Sequence, residues 1–222
     1  ARADIAVIHA RGGLPLVVGG SGLYLQALLD ELEFPGTDPG IRAELEERAE
    51  REGGRILHDE LAARDPAAAQ RIDPGNVRRV VRALEVIELT GRPFSASLPD
   101  GRHHFPGTLQ VGLKAPNEWL DERIARRTAA MLAGGFVEEV AGLGELSRTA
   151  ATATGYREAL AHLRGELTTA ELAEAISLAT RQLARRQVKW FRRDPRTHWL
   201  DAADPAGALE AALDAVRAET GD

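Results

Sequence analysis

The turn Gly19-Gly20-Ser21-Gly22, running into Leu23-Tyr24, is the first place where residue types and spacing could do chemistry. Glycines let a backbone come close to a ligand, and a helix starting there points free amide N–H groups at an anion. Ser21 then either caps that helix or places a hydroxyl at the mouth of a sheet, where α/β proteins bind ligands. A second set lies on Arg123, Arg126 and Arg127. Arg123 and Arg127 are four apart beside an apolar side of Leu120, Ile124, Thr128 and Met131. Two guanidiniums so placed can grip a pyrophosphate, or be neutralised by Asp121, Glu122 or acids elsewhere. The third set is a row: Arg181, Arg185, Lys189 and Arg192, spaced by four, four and three residues. On a helix these share one face, rising about 5.4 Å per turn, and can follow a nucleic-acid backbone. Trp190 and Phe191 beside them can stack on unpaired bases; equally, Trp190 can be core and the arginines salt-bridged.

These residues need elements to hold them. Ala1 to Arg11 reads as a helix, and Leu14 to Val18 as a short buried parallel strand. The glycine turn and a helix over Leu23 to Leu29 then complete a strand–turn–helix unit of an α/β fold. From Pro35 to Pro106 the sequence reads as helices, with Asp38-Pro39, Asp65-Pro66 and Asp73-Pro74 each offering an Asp N-cap. Val77 to Leu89 is the most regular of them, ended by Gly91, and Arg92 to Pro106 is a loop. Leu109 to Leu113 is a second strand, followed by helices from Asn117 to about Leu132 and over Phe136 to Leu143. Arg148 to Thr154 is loop and Gly155 to Leu163 helix. Thr168 and Glu171 form a capping box for a long helix to about Arg193, stopped by Pro195. His198 to Leu200 is a last strand and Pro205 to Ala218 a last amphipathic helix.

Composition sets the outer bounds. A chain of 222 residues, 44% hydrophobic and 28% charged, is that of a globular protein able to bury a core. No apolar run approaches the roughly 18 residues needed to span a bilayer, and no signal-peptide pattern is present, so the expectation is a cytoplasmic protein without membrane contact. With no cysteine and no H-x-x-x-H pair among six histidines, a protein-held zinc site is not expected. The net charge of −6 hides clustering: Arg181 to Arg196 holds seven basic residues against one acid, Asp194. Acids gather instead at Glu44, Glu46, Glu47, Glu50 and Glu52, and local field outweighs net charge when a polyanion approaches. The dominance of arginine over lysine also fits a GC-rich genome.

Five segments occur in a telling order: Pro15 to Tyr24, Asp38-Pro39-Gly40-Ile41-Arg42, Arg79 to Val86, Gly155-Tyr156-Arg157-Glu158, and Thr180 to Phe191. Together they resemble the tRNA dimethylallyltransferases, the IPP transferase family, along essentially the whole chain. The resemblance implies an α/β, P-loop NTPase-like core lacking its N-terminal strands, with a helical insertion. On that pattern residues 1–30 and 108–222 are core, and residues 31–107 are the insertion that binds the anticodon stem. Where the family usually has threonine, this chain has Ser21, which keeps the hydroxyl. The family also begins with a P-loop for the prenyl diphosphate and an aspartate acting as general base. Neither lies in these residues, so the chain is expected to be an N-terminally truncated form, inactive alone.

The implied reaction moves a dimethylallyl group from dimethylallyl diphosphate to N6 of the adenine 3′ to the anticodon, with Mg²⁺ as cofactor. By resemblance Ser21 and Arg42 stabilise the transition state, and Arg127 lies near the pyrophosphate. Contacts with the tRNA anticodon stem-loop match Arg78, Arg79, Val80, Val81 and Arg82, then Thr152, Ala153, Thr154, Gly155, Tyr156 and Arg157. The last such stretch is Arg185, Arg186, Gln187, Val188, Lys189, Trp190, Phe191 and Arg192. The enzyme is expected to be a monomer. Alternatives are an adenylate isopentenyltransferase, which would have little use for the insertion and the arginine row, and a non-catalytic RNA-binding remnant.

Overall fold

The computed structural model describes residues 1–31, 34–97 and 102–220. It divides into two compact units, Ala1–Leu16 with Leu23–Pro106, and Val17–Gly22 with Gly107–Asp222.

The first unit is helical: α1 (Arg2–Ala10), α2 (Gly22–Leu29), α3 (Pro39–Glu52), α4 (Gly54–Arg64), α5 (Pro66–Arg71) and α6 (Val77–Thr90). The carbonyls at the end of α2 have no partners within the helix. The Arg2 guanidinium supplies them, donating to Ala27 O, Leu28 O and Asp30 O at 2.7 to 3.1 Å. Asp38 starts α3 by accepting from the Gly40 and Ile41 amides, and Asp65 starts α5 by accepting from Ala68 N, each with proline at the first helical position. Asp73 behaves otherwise. Its carboxylate accepts from Gly75 N in a tight turn, and Asn76 caps α6 instead. An Asp side chain bonds its own turn two residues on as readily as it caps a helix, and the sequence does not separate the two. Gly91 ends α6 in the left-handed conformation, φ 66°. The core comprises Leu45, Leu57, Leu61, Ile72, Val80, Val81, Leu84 and Ile87 with the small Ala49, Ala68, Ala69 and Ala83.

Polar groups tie this core's edge. Asp65, buried, also accepts from the Ser95 amide and hydroxyl, pinning a short 3-10 turn over Phe94–Ser97 inside the expected loop. Residues 98–101 of that loop lie outside the described residues. His58 Nε2 sits between Ala69 O and Ile72 O, two acceptors, so that nitrogen carries the proton.

The second unit contains β1 (Gln110–Lys114) and β2 (Thr197–Asp201), paired in parallel with Gln110 opposite Thr197 and Lys114 opposite Asp201. Its helices are α7 (Asn117–Ala133), α8 (Phe136–Gly142), α9 (Arg148–Ala151), α10 (Tyr156–Leu163), α11 (Thr169–Phe191) and α12 (Pro205–Thr220). Gly112 leaves room for β2: a Cβ there would lie 2.7 Å from Thr197 Cγ2 and 3.0 Å from the Trp199 ring. Thr168 and Glu171 cap α11 reciprocally. Phe136, Val140, Ala159, Leu172 and Ile176 form this unit's core.

Two further expectations need correction. Arg148–Ala151 is one helical turn, started by the Ser147 side chain, and not loop. Leu14 to Val18 is not a strand; Leu14, Leu16 and Val18 are 69%, 87% and 86% exposed. An apolar run shows what a segment prefers to bury, whereas a strand exists only where another backbone meets its N–H and C=O groups. Among the described residues the ladder joins β1 and β2 and does not reach this segment.

Candidate functional site

Ser21 is exposed, stands immediately before α2, and its hydroxyl makes no hydrogen bond to a described residue. The glycines around it are not there for unusual dihedrals, since none of Gly19, Gly20 and Gly22 has a positive φ. Two of them are there for space. A Cβ on Gly22 would fall on the pyrrole edge of the Trp190 indole, and one on Gly20 would fall on the Gln187 amide. The turn bearing Ser21 therefore rests against α11, near the C-terminal end of that helix. Trp190 is 44% exposed, so it is not core.

α11 packs along α7, and that packing divides the cationic row. Arg181 is largely covered and pairs with Glu174 at 2.6 Å. Arg185 reaches Asp121 of α7 at 3.6 Å, a long contact between partly exposed groups worth ~0–1 kcal/mol. Arg186, Lys189 and Arg192 have no ion pair with a described residue, so the unneutralised charge lies at the C-terminal end of α11, beside Trp190. That is also where the helix dipole favours cations. On α7, Arg126 and Arg127 are exposed and have no acidic partner among the described residues, while Arg123 lies 4.6 Å over the Trp119 ring. Asp121, an acid close enough in sequence to neutralise Arg123 or Arg127, faces Arg185 instead.

Arg42 belongs to the first unit, and its guanidinium donates to Glu85 Oε2 through Nη2 at 2.6 Å and Nε at 3.3 Å. Glu85 has no exposed side-chain surface. Burial alone would raise its pKa, but hydrogen bonds from Arg42, Arg82 and the Asp38 amide outweigh this and hold it below the usual carboxylate range. Arg82 also donates to Pro35 O and Gly36 O, fixing the chain that leads into α3. Within the expected RNA-contact stretch, Arg78 and Arg79 are exposed, with guanidiniums unpaired among the described residues. Val80 and Val81 are 0% and 2% exposed and belong to the core, so their side chains do not reach a ligand.

The stretch Thr152 to Arg157 runs from the end of α9 into the first turn of α10. Thr152, Ala153 and Thr154 are exposed. Gly155 has φ 93° and packs under Phe136; its amide donates to the buried Glu158, whose other oxygen takes the Arg157 guanidinium. Tyr156 donates to Glu139 at 3.0 Å, a bond that raises the phenol's pKa and keeps its proton in place.

A family model described as IPP transferase matches residues 1–194. The chain belongs to the IPP transferase family. The tRNA dimethylallyltransferase of Bifidobacterium adolescentis is 50% identical over 100% of this chain and 66% of its own length. That of Kineococcus radiotolerans is 53% identical over 96% of this chain and 68% of its own. The chain thus spans about two thirds of the length of these relatives. Among solved structures, the full-length tRNA isopentenylpyrophosphate transferase of Bacillus halodurans superposes with a TM-score of 0.62 at 32% identity, over 99% of this chain and 72% of that one. The mixed helical architecture with its small parallel sheet is therefore that of an IPP transferase.

Two placements in this chain have little or no signal in its sequence. Glu85 stands between Leu84 and Val86, an acid at a buried position of α6 with Arg82 three residues before it. That local pair is a usable signal; the pairing with Arg42, 43 residues away, is not. For Trp190 the sequence leaves core and base stacking both open, and nothing in it points to the seat against Gly22. As to Mg²⁺, no group of three or more acidic or histidine side chains able to hold a metal exists among the described residues, and this ion is commonly held by one or two carboxylates together with substrate phosphates. No helix among the described residues is long and apolar enough to cross a membrane.

Proposed function

We propose that this chain is part of an enzyme that transfers a dimethylallyl group from its diphosphate to N6 of the adenine 3′ to the anticodon in tRNA. The observation that carries the reading is the placement of a free Ser21 hydroxyl, on its glycine turn, against the end of α11 where Lys189 and Arg192 are unneutralised. The relatives' names point to the same reaction. In it the bond from the allylic carbon to diphosphate oxygen breaks with its electron pair going to the diphosphate, a bond from that carbon to N6 forms, and N6 gives up a proton to the aspartate general base that the family resemblance implies. Negative charge grows on the departing oxygen, where a preorganised donor has most effect. Ser21 is that donor, and Arg127 holds the diphosphate as a guanidinium fork. The family resemblance also assigns Arg42, oriented by Glu85 within the first unit, to transition-state stabilisation.

The acceptor adenine must leave its stack to react, which requires contacts to the flanking RNA backbone. Lys189, Arg192, Arg78, Arg79 and the exposed Thr152–Thr154 loop provide them. The fold reading that goes with this function is a P-loop NTPase-like core over residues 1–30 and 108–222, with residues 31–107 as the stem-binding insertion. The enzyme works as a cytoplasmic monomer.

The test is to incubate the full-length protein with dimethylallyl diphosphate, Mg²⁺ and either unmodified tRNA or free adenine nucleotides, then identify prenylated nucleosides by mass. Transfer to tRNA supports the reading. Transfer to the free nucleotide alone makes it an adenylate isopentenyltransferase, and RNA binding without transfer makes it a binding protein.

A further inference from the structure

We infer that Trp190 is a positioning residue for Ser21: its indole is the wall that sets where the glycine turn, and with it the serine hydroxyl, is held. This rests on the role given to Ser21 under Proposed function. Gly22 is the first residue of α2, where alanine would ordinarily favour the helix over glycine. Its φ is not positive, so backbone conformation does not demand glycine either. What demands it is the ring: the Cδ1, Nε1 and Cε2 atoms of Trp190 occupy the space that a Cβ would take. Gln187, one turn earlier on the same face of α11, occupies the corresponding space at Gly20. Its flexible amide can yield, whereas the indole is rigid and Trp190 is the firmer contact.

Ser21 lies between these two points of contact, so its main chain is fixed from both sides by α11. The hydroxyl has no hydrogen bond of its own to a described residue, which leaves it free for a ligand while the turn supplies the order. Lys189 and Arg192 flank Trp190 on that stretch of α11, so a polyanion seated on them bears on the residue that holds the turn.

The experiment is a double-mutant cycle in the full-length protein with Gly22→Ala, Trp190→Ala and the pair. It reads single-turnover prenyl transfer, tRNA affinity, and amide hydrogen exchange over residues 17–24. Gly22→Ala is expected to slow transfer by ~10²-fold, the scale of a misplacement of about 1 Å, with tRNA affinity unchanged. In the Trp190→Ala background the same substitution costs nothing further, because the obstructing ring is gone. Trp190→Ala alone speeds exchange of the turn amides and slows transfer, and Trp190→Phe restores part of both.

An equal penalty for Gly22→Ala in both backgrounds overturns the inference. So does a Trp190→Ala protein that loses tRNA affinity while its exchange and transfer rate stay normal, which would make the ring a base-stacking platform. If the wild-type protein transfers no prenyl group, the proposed function fails, and the exchange data alone still decide whether Trp190 holds the turn.

Discussion

Glu85 shows how one buried acid sets the position of two cations and a helix start. Its two oxygens take Arg42, Arg82 and the Asp38 amide, so the start of α3 and the Arg42 guanidinium are fixed by the same group. Removing the acid leaves two guanidiniums facing each other, and Glu85→Ala is expected to cost ~3–5 kcal/mol of stability in denaturant unfolding. The pH dependence has a definite sign. A carboxylate whose folded pKa is depressed adds stability above its unfolded value of 4.5, and that stability is lost as pH falls through the folded value. Asp65 behaves likewise: burial would raise its pKa, but bonds from Ser95 and the α5 amides lower it overall. Melting temperature should therefore vary little on these groups' account between neutral pH and about pH 5, then drop, and drop less in Glu85→Gln. A Glu85→Gln curve parallel to wild type would show that the pair is not what titrates. For Ser21, removal of a charge-stabilising donor predicts that Ser21→Ala slows single-turnover transfer by ~10²–10³-fold. Ser21→Thr, which keeps the hydroxyl, should retain most of the rate.

At the scale of elements, α11 combines two tasks on its successive turns. Its first half buries Leu172 and Ile176 in the core, and its second half carries the row from Arg181 to Arg192. The extent of this helix is legible in the sequence because its start is a reciprocal Thr168–Glu171 cap and its stop is Pro195. The division of the row is not legible, because Glu174 and Asp121 act through side-chain reach and helix packing. On the RNA-binding role proposed for the row, the consequence is unequal contributions from its members. On single-stranded RNA, a side chain that neutralises one phosphate adds ~0.7 to the slope of log K against log salt, and its removal takes that away. Lys189→Ala and Arg192→Ala should each show a change of that size, and Arg185→Ala a smaller one because Asp121 already screens it. Asp121→Asn should instead tighten binding by freeing Arg185. Slopes identical to wild type in all four variants would reduce the row to a solvated face.

For the molecule as a whole, the sequence pattern marked the helix at the centre of the first core but neither the second core nor the fate of every apolar segment. Val80, Val81, Leu84 and Ile87 recur at helical spacing and are buried together in the first unit. They also lie in and around a stretch whose family resemblance implies RNA contacts, and burial removes the two valine side chains from that role. Leu14 to Val18 is just as apolar and stays exposed, because periodicity and composition do not specify which backbone will pair with a strand. No residue is shared between the cluster containing Leu57 and the one containing Leu172, and both side chains are fully buried. Each truncation to alanine is expected to destabilise by ~2–5 kcal/mol. Because the two sites have no common partner, the double variant should be destabilised by the sum of the single effects within ~0.3–0.5 kcal/mol. Hydrogen exchange should assign the damage, with Leu57→Ala loosening α4 and α6 while α8, α10 and the first half of α11 keep their protection. A coupling energy well outside that range would mean that the two sites interact, and reduced protection in both sets of helices from one substitution would mean that the two cores unfold as a single cooperative body.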